Sequence, residues 1–357
     1  MKKILSCFIC MILVIGVSGC STAAKKPVPN TNPPGAVSTR HTVVGYYVND
    51  VGHFDSLPSL KAHADLLNEI HPLWYHVSPD GSIRKEVNKE AIAVAHQNGI
   101  KVIPLINLVP SQDAILLNQA AQDKAIANLV REVKANNYDG IDIDFEFFPV
   151  SKIKDFTVDR DKLTLFMKKI HAQMSSLGKV TYMAVLPHVG SSPKAGGVFN
   201  YENLAPYLTK VTIMCYDYKE THSPPGPVAP FQWVEQNINT AIKQGFKPEQ
   251  ISLGVATYGY DWPTGQAGGF SKPTSEIMKQ ITMKGYNVKW SDKYQEPYYT
   301  YTDSSGTSRE VWFENAKTLQ TKIDLVNKYK LSGISIWRLG YEDQKFWDII
   351  VDRWGKK

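Results

Sequence analysis

Residues 139–146 have the sequence Asp-Gly-Ile-Asp-Ile-Asp-Phe-Glu. Successive side chains of a β-strand point to opposite faces, so Asp142, Asp144 and Glu146 would share one face and the apolar residues the other. An exposed strand would merely solvate such a face, but an apolar pair follows directly at positions 147–148. Three enclosed carboxylates repel one another and lose hydration, and stability alone would not select them. The segment therefore predicts a buried strand at a functional site.

Seven further apolar runs of strand length occur along the chain, and amphipathic segments separate most of them. The eight runs are Val43–Val48, Leu73–Val77, Val102–Asn107, Ile141–Phe147, Thr181–Leu186, Val211–Tyr216, Ile251–Tyr258 and Ile334–Trp337. Strands that alternate with helices favour a parallel α/β sheet. Eight repeats in about 310 residues fit a closed (β/α)8 TIM barrel better than an open doubly wound sheet. No glycine-rich phosphate loop follows the first run, so nucleotide binding has no motif behind it.

Two of the intervening segments have the period of an amphipathic helix. Their apolar positions are Leu163, Phe166, Ile170 and Met174 in the first and Leu319, Ile323 and Val326 in the second. Gly178 follows the first segment and is placed to end its helix. Helices of this kind would cover the outside of the barrel.

The stretch between the seventh strand and its helix, about residues 263–311, is too long for a simple connection. It contains a helical piece at Glu276–Ile281. It also contains a predicted hairpin of Tyr298–Thr302 and Arg309–Phe313, turned at residues 303–306. We therefore expect a small α+β insertion between strand 7 and helix 7, which would form one wall of a groove at the mouth of the barrel.

The N-terminus has the pattern of an export signal, with two lysines, the apolar run Ile4–Val17 and small residues before Cys20. Residues 17–20, Val-Ser-Gly-Cys, resemble the bacterial lipobox, in which the cysteine is acylated and becomes the mature N-terminus. An ordinary cleaved signal with a chance cysteine is the alternative. We predict a lipoprotein signal peptide over residues 1–19 and an extracytoplasmic protein that its lipid anchors to a membrane of the cell envelope.

Residues 20–41 are rich in proline and small polar residues, which is typical of an extended tether. The folded domain would then span residues 42–357. Signal cleavage would leave Cys20 and Cys215, so lipidation of Cys20 would leave no disulfide within the chain. Cys215 is expected to be a buried apolar residue.

Charge and ligand types argue against several other functions. The net charge of +6 is mild and no basic face is interleaved with aromatic residues, so we expect no nucleic-acid partner. A calcium-binding loop that starts at Asp142 would need glycine and glutamate where the chain has Phe147 and Ile153. No histidine lies close by in sequence to complete a transition-metal site. We predict neither a metal nor a cofactor, and we expect a monomer.

Residues 139–146 resemble the DxxDxDxE signature of glycoside hydrolase family 18, the chitinase family, with Phe145 where many members have Trp. Further motifs line up across nearly all of residues 41–357. They are Val44–Tyr47 on the first strand, Met214–Asp217 on the sixth (MxYD), Leu253–Trp262 on the seventh and Gly333–Trp337 on the eighth. Residues 225–230 and 311–314 look closest to the branch that includes bacterial spore-cortex and cell-wall lytic N-acetylglucosaminidases.

The third strand departs from the family pattern. Many chitinases carry an SxGG motif there, whereas this chain has Pro104–Leu108. The departure weakens the inference that chitin is the substrate, but it leaves the inference about the chemistry unchanged.

The resemblance implies a retaining mechanism in which the substrate's own 2-acetamido group is the nucleophile. Glu146 would be the acid and base, Asp144 would hold the acetamido N–H, and Asp142 would share a proton with Asp144. Tyr216 would hydrogen-bond the acetamido oxygen, and Asp217 would help to bind the same ring.

The remaining candidates for substrate binding are Met214, Trp337 and Tyr46, and the resemblance places Trp337 at the floor of the sugar site. An isolated aromatic residue is more often part of the core. Asp139 is expected to be a structural turn residue, and His188 fits either a rim position or a structural role. Four other tryptophans would either line a sugar groove or pack the insertion: Trp233, Trp262, Trp290 and Trp312.

We therefore predict a glycosidase of the endo-β-N-acetylglucosaminidase or chitinase type. It would cleave β-1,4 linkages of a glycan that contains N-acetylglucosamine, either peptidoglycan or chitin. The alternative is a catalytically inactive, chitinase-like lipoprotein that only binds carbohydrate. Inactive members usually lose the terminal acid of the motif, and this chain retains it as Glu146.

Overall fold

The structure, a computed structural model, describes residues 41–50, 52–108, 113–146, 156–190 and 197–357. The predicted signal peptide, the predicted lipidation site Cys20 and almost all of the predicted tether therefore lie outside the described residues. Within the described ranges, no helix is both long enough and apolar enough to cross a membrane.

Eight parallel strands close into a barrel within the described residues. The strands of the protein are β1 (Thr42–Tyr47), β2 (Glu69–Val77), β3 (Ile83–Lys85), β4 (Lys101–Val102), β5 (Leu105–Leu108), β6 (Gly140–Asp144), β7 (Val180–Val185), β8 (Lys210–Ile213), β9 (Ile251–Ala256), β10 (Tyr258–Pro263), β11 (Phe270–Pro273), β12 (Lys289–Ser291), β13 (Glu296–Thr302), β14 (Ser308–Phe313) and β15 (Gly333–Trp337). The barrel order is β1, β2, β5, β6, β7, β8, β9 and β15, and β15 pairs with β1 to close it. The predicted (β/α)8 TIM barrel is confirmed.

Amphipathic helices connect the barrel strands and bury one face against them. The helices are α1 (Ser56–Ala62), α2 (Lys89–Gln97), α3 (Asp113–Leu117), α4 (Gln119–Ala135), α5 (Phe156–Ser176), α6 (Tyr201–Leu204), α7 (Phe231–Lys243), α8 (Thr274–Lys284), α9 (Ala316–Tyr329) and α10 (Gln344–Trp354). The apolar faces predicted for α5 and α9 are both buried. Gly178 has a φ of +67° just after α5, a conformation that glycine adopts at no steric cost.

Several barrel strands differ in extent from the apolar runs that predicted them, and three of the differences concern the motifs. The third run is divided into β4 and β5, because Pro104 has no N–H to donate to a strand ladder. β8 ends at Ile213, earlier than predicted, so residues 214–217 lie past the strand at the C-terminal face of the barrel. β6 ends at Asp144, before the predicted end at Phe147, which is outside the described residues. The motif residues are thereby placed where barrel enzymes have their active sites.

The long stretch before α9 forms a second sheet, which is antiparallel and has the order β11, β10, β14, β13, β12. The predicted hairpin is β13 with β14, and the predicted helical piece is α8. The second sheet begins before the predicted start of the insertion at about residue 263. β9 ends at Ala256, and Tyr258 already belongs to β10, where it pairs with Pro273 of β11. Thr257 turns the chain between the two sheets, since its N–H and its hydroxyl both bind the carbonyl of Trp337.

Candidate active site

A cavity of about 760 Å³ opens at the C-terminal ends of the barrel strands. Its lining combines carboxylates with tyrosines and tryptophans. The predicted site residues in the lining are Tyr46, Asp144, Glu146, Met214, Tyr216, Asp217 and Trp337. The structure thus brings together all but one of the predicted catalytic and substrate-binding residues, and the exception, Asp142, is buried beneath them.

The side chains of the acidic segment alternate between two environments, as the strand period predicts. Asp142 is fully buried, Asp144 is 9 % exposed, and Glu146 lines the cavity just past the end of β6. Phe145 points the other way, into the core between barrel and helices, where its ring centroid lies 5.2 Å from that of Phe166. The pleat therefore delivers two carboxyl groups to the cavity and holds the third below its floor.

Asp142 is held from two neighbouring strands. Tyr46 on β1 donates its hydroxyl to Asp142 Oδ2 at 3.1 Å, and His71 Nδ1 on β2 lies 2.8 Å from the same oxygen. Asp142 Oδ1 and Asp144 Oδ1 are buried and have no hydrogen-bond partner among the described residues. A proton shared between the two carboxyl groups would give these buried oxygens a hydrogen bond.

Burial and mutual repulsion dominate the electrostatics of the two carboxyl groups in the cavity. Burial raises the pKa of Asp144 well above its usual value, and the charges of Glu146 and Asp142 raise it further. Burial also raises the pKa of Glu146 to about 6, with a smaller contribution from the charge of Asp217. A carboxyl group with a pKa near 6 can hold a proton close to neutral pH and release it during a reaction.

Tyr216 and Asp217 reach the cavity from the loop that follows β8. Gly254 on β9 makes room for Tyr216, because a Cβ at that position would lie 3.1 Å from the tyrosine ring. Asp217 has a φ of +59°, a left-handed conformation that is uncommon outside glycine. Its carboxylate accepts hydrogen bonds from the hydroxyls of Tyr258 at 2.6 Å and Tyr260 at 2.9 Å. The second sheet, through β10, therefore sets the position of Asp217.

Trp337, at the end of β15, gives the cavity an aromatic surface. Its ring centroid lies 5.4 Å from that of Tyr46, in an edge arrangement. Met214 is 8 % exposed and adds a further apolar contact surface. Such a surface is suited to the C–H face of a sugar ring, because aromatic side chains combine a large apolar area with a fixed geometry.

The four other tryptophans that were groove candidates divide between the cavity and the insertion. Trp233 lines the cavity, and its indole N–H donates to a backbone carbonyl at 2.5 Å. Trp262 is fully buried, Trp312 stacks on a tyrosine with 4.5 Å between ring centroids, and Trp290 has a lysine ammonium group 3.6 Å from its centroid. Of the four, Trp233 is therefore the groove residue, and the others pack the second sheet.

Three other candidates have structural surroundings. Asp139 accepts a hydrogen bond from the N–H of Val102 at 2.9 Å, which holds β4 beside β6. His188 Nε2 lies 2.9 Å from a backbone carbonyl oxygen, and its ring stacks on Tyr201 at 3.8 Å. Cys215 is buried, and burial raises the pKa of its thiol, so it is not an activated nucleophile.

The sequence-based prediction missed rim residues and a buried pair. Tyr218, Glu220 and Tyr260 line the cavity. The first two belong to a loop that carries no motif, and Tyr260 lies within the motif Leu253–Trp262 but was not predicted to face the cavity. Glu69 and His71 lie on β2, which begins before its predicted start. A signal for this pair was present, because two polar residues at alternate positions in an apolar strand face the same way.

The arrangement is chemically able to protonate an oxygen and to stabilise positive charge. Glu146 can supply a proton, Asp144 can supply negative charge once it is ionised, and Tyr216 brings a hydroxyl into the same cavity. In the part of the chain that the structure describes, no group of three or more His, Cys, Asp or Glu side chains is arranged to hold a metal ion.

Known proteins resemble the chain over most of its length. The cortical fragment-lytic enzyme of Bacillus anthracis is 26% identical over 293 residues, which cover 78% of this chain and 66% of that protein. Di-N-acetylchitobiase of Homo sapiens is 26% identical over 294 residues, 74% of this chain and 73% of that protein. The crystal structure of a chitinase from Chromobacterium violaceum matches with a TM-score of 0.79 at 23% identity, over 89% of this chain and 100% of that one.

The family itself follows from a match that includes the barrel, the insertion and every cavity residue named above. The family model of glycosyl hydrolases family 18 matches residues 42–342. The chain therefore belongs to glycosyl hydrolases family 18 and is a glycosidase.

Proposed function

We propose that this glycosidase hydrolyses β-1,4 linkages of a glycan that contains N-acetylglucosamine, by a retaining mechanism with Glu146 as acid and base. One cavity at the mouth of the barrel, in which Asp144, Glu146 and Tyr216 meet, carries this proposal. The raised pKa of both carboxyl groups supports it, because a protein that only binds carbohydrate does not need a buried acid.

In the first step Glu146 donates its proton to the glycosidic oxygen, and the bond between that oxygen and the anomeric carbon breaks. The oxygen of the substrate's 2-acetamido group attacks the anomeric carbon and forms an oxazolinium ion. Asp144 accepts a hydrogen bond from the acetamido N–H and offsets the positive charge, while the hydroxyl of Tyr216 donates to the acetamido oxygen. Asp217 and Trp337 hold the same sugar ring.

In the second step Glu146, now a carboxylate, accepts a proton from water. The water oxygen attacks the anomeric carbon, and the bond between that carbon and the acetamido oxygen breaks. Glu146 regains the proton that it donated, and two inversions at the anomeric carbon give net retention.

Peptidoglycan is the polymer that we favour over chitin. The cortical fragment-lytic relative and the missing SxGG motif on the third strand support this choice, whereas di-N-acetylchitobiase points to chitin-type oligomers. Both polymers carry the 2-acetamido group, so the catalytic residues do not discriminate between them. Discrimination has to come from the space beside the 3-position of the sugar, where alternate peptidoglycan residues carry a lactyl ether.

Digestion of purified peptidoglycan should leave N-acetylglucosamine at the new reducing end. A free 3-hydroxyl fits the subsite next to Glu146 more easily than a lactyl ether does. Borohydride reduction of the digest followed by mass spectrometry identifies the terminal sugar, and chitin oligomers are the parallel substrate. N-acetylmuramitol as the only reduced end would refute this orientation. Turnover of chitin oligomers alone would refute the preference for cell wall.

The pKa of Glu146 predicts how activity depends on pH. Because the free enzyme must hold the proton that it donates, kcat/KM should fall as the pH rises through about 6. In Asp217→Asn this alkaline limb should move to lower pH, since the charge of Asp217 contributes to raising the pKa of Glu146. Both profiles are measured with a soluble N-acetylglucosamine oligomer. An alkaline limb at the same pH in both proteins would contradict this electrostatic assignment.

We also propose that acyl chains on Cys20 hold the protein at a membrane outside the cytoplasm. The lysines, the apolar run and the small residues before Cys20 support this location. Each buried methylene of an acyl chain contributes ~0.8 kcal/mol to membrane binding. Cys20→Ala should abolish incorporation of labelled fatty acid and remove the acylated form from the membrane fraction, whereas Cys7→Ala, inside the signal, should not. A mature N-terminus other than Cys20 would exclude the anchor.

A further inference from the structure

Two polar side chains lie inside the barrel on β2, beneath the cavity. Glu69 and His71 are two residues apart, so the pleat places both on one face of the strand. Glu69 is 3 % exposed and His71 is 0 % exposed. Burying an acid and a base costs free energy unless each is paired, so the partners of these two residues indicate what they do.

His71 lies between two carboxylates. Its Nδ1 is 2.8 Å from Asp142 Oδ2, and its Nε2 is 3.5 Å from Glu69 Oε2. The first contact is a hydrogen bond, whereas Nε2 and Glu69 Oε2 lie at ion-pair distance with no hydrogen bond between them. A positive charge on the ring would be attracted to both carboxylates. Burial lowers the pKa of His71, but the contacts with Asp142 and Glu69 outweigh burial and raise it. The geometry therefore favours a charged His71.

Glu69 is the carboxylate that supports this charge from below. Its Oε1 accepts a hydrogen bond from the Tyr182 hydroxyl of β7 at 3.2 Å and lies 3.4 Å from Lys210 Nζ of β8 and 4.0 Å from Lys101 Nζ of β4. Burial raises the pKa of Glu69, but the contact with His71 and the charges of the lysines outweigh it and hold this pKa at about 2. Glu69 is therefore ionised at neutral and mildly acidic pH.

On the cavity side, Asp142 depends on His71 for its only cationic contact among the described residues. Its other donor is the neutral hydroxyl of Tyr46 on β1. Leu105 is the neighbour of Asp142 in the register with β5, and its side chain has no polar atom to offer. On the other side, the register neighbour of Asp142 on β7 is Tyr182, whose hydroxyl donates to Glu69. The remaining charged neighbour is Asp144, whose charge would repel that of Asp142.

We infer that His71, beside Glu69, is a positioning residue that fixes the carboxyl group of Asp142 beneath Asp144 and supplies a positive charge to the pair of carboxyl groups. Its charge fixes Asp142 Oδ2 as an acceptor and leaves Oδ1 available for a proton from Asp144. When the oxazolinium ion forms, the O–H bond of Asp144 breaks and the proton passes to Asp142. Asp144 becomes the carboxylate that offsets the new positive charge. This role rests on the proposed mechanism and adds β2 to it.

The acid limb of the kcat profile tests this role. His71→Asn can keep a donor toward Asp142 but removes the charge, and His71→Leu removes both. Without the cation, the two neighbouring carboxyl groups lose a positive charge, so the pair takes up its second proton at higher pH and no site remains for the proton of Asp144. The acid limb should therefore move to higher pH by about one unit in both variants, which is about a tenfold loss of kcat below the limb. At the optimum, His71→Asn should retain more activity than His71→Leu.

The same kinetics separate positioning from a general structural role. KM should stay within about twofold of the wild-type value, because His71 does not touch the substrate. His96→Gln, on the exposed face of α2, is the matched control and should leave both limbs in place. A folded His71→Asn enzyme with an unmoved acid limb would overturn the inference. So would an equal loss of kcat at every pH.

Nitrogen NMR of the wild-type protein tests the charge of His71 without relying on a variant. Both ring nitrogens of His71 should be protonated at neutral pH. The His71 signal is assigned by its loss in folded His71→Asn. If that variant does not fold, the side-chain correlations of the wild-type protein assign it. A neutral ring would overturn the inference. The NMR measurement does not depend on turnover. Absence of glycosidase activity on every substrate would therefore count against the proposed function, and the NMR result would still decide the charge of His71.

Discussion

Glu146→Gln should lower kcat by about 10²–10⁴-fold, the usual effect of losing one acid–base group. Gln has nearly the same shape as Glu, but it cannot transfer a proton to the glycosidic oxygen. Binding of an N-acetylglucosamine oligomer should persist, because the other side chains that line the cavity, among them Trp337 and Asp217, are unchanged. Steady-state kinetics and calorimetric titration measure the two quantities separately. Near-normal turnover by the folded variant would exclude Glu146 as the acid.

The leaving group provides a second test of the same role. In an aryl N-acetylglucosaminide, the leaving group is a phenol, and an acidic phenol departs with little protonation. The loss of kcat in Glu146→Gln should therefore be smaller on that substrate. Glu249→Gln, on the exposed surface, is the matched control and should behave as the wild type. An equally large defect on both substrates would show that Gln disturbs the cavity instead of removing a proton donor.

Asp144→Asn should lower kcat by about 10²–10³-fold, comparable to losing one group that stabilises charge in a transition state. Asn is isosteric with Asp but carries no negative charge to offset the oxazolinium ion. The defect should be as large on the aryl substrate as on an oligomer, because the oxazolinium ion forms whatever the leaving group is. This pattern differs from that of Glu146→Gln.

Asp352→Asn, on the exposed face of α10, is the control for the change of an acid to its amide. A folded Asp144→Asn enzyme with kcat close to that of the wild type would exclude Asp144 from the charge-stabilising role. A defect confined to the oligomer would instead assign Asp144 to protonation of the leaving group.

Local sequence patterns predicted most of the architecture. The strand period at 139–146 is a property of neighbouring residues, and so is the helical period that α5 and α9 follow. Strand ends were predicted less well, because they depend on contacts across the fold. Thr257 ends β9 by donating a hydrogen bond to the carbonyl of Trp337, a residue 80 positions away in sequence.

The sequence by itself therefore determined the closed barrel, the insertion and the face that carries Asp142, Asp144 and Glu146. Only the tertiary structure decided which groups surround those acids. His71 meets Asp142 across 71 positions of sequence, and Tyr258 meets Asp217 across 41. Contacts of this kind depend on the register in which the strands close, and burial shifts a pKa only after they have closed. Periodicity acts between neighbours, whereas the dielectric environment and the partners of a charge are properties of the whole fold.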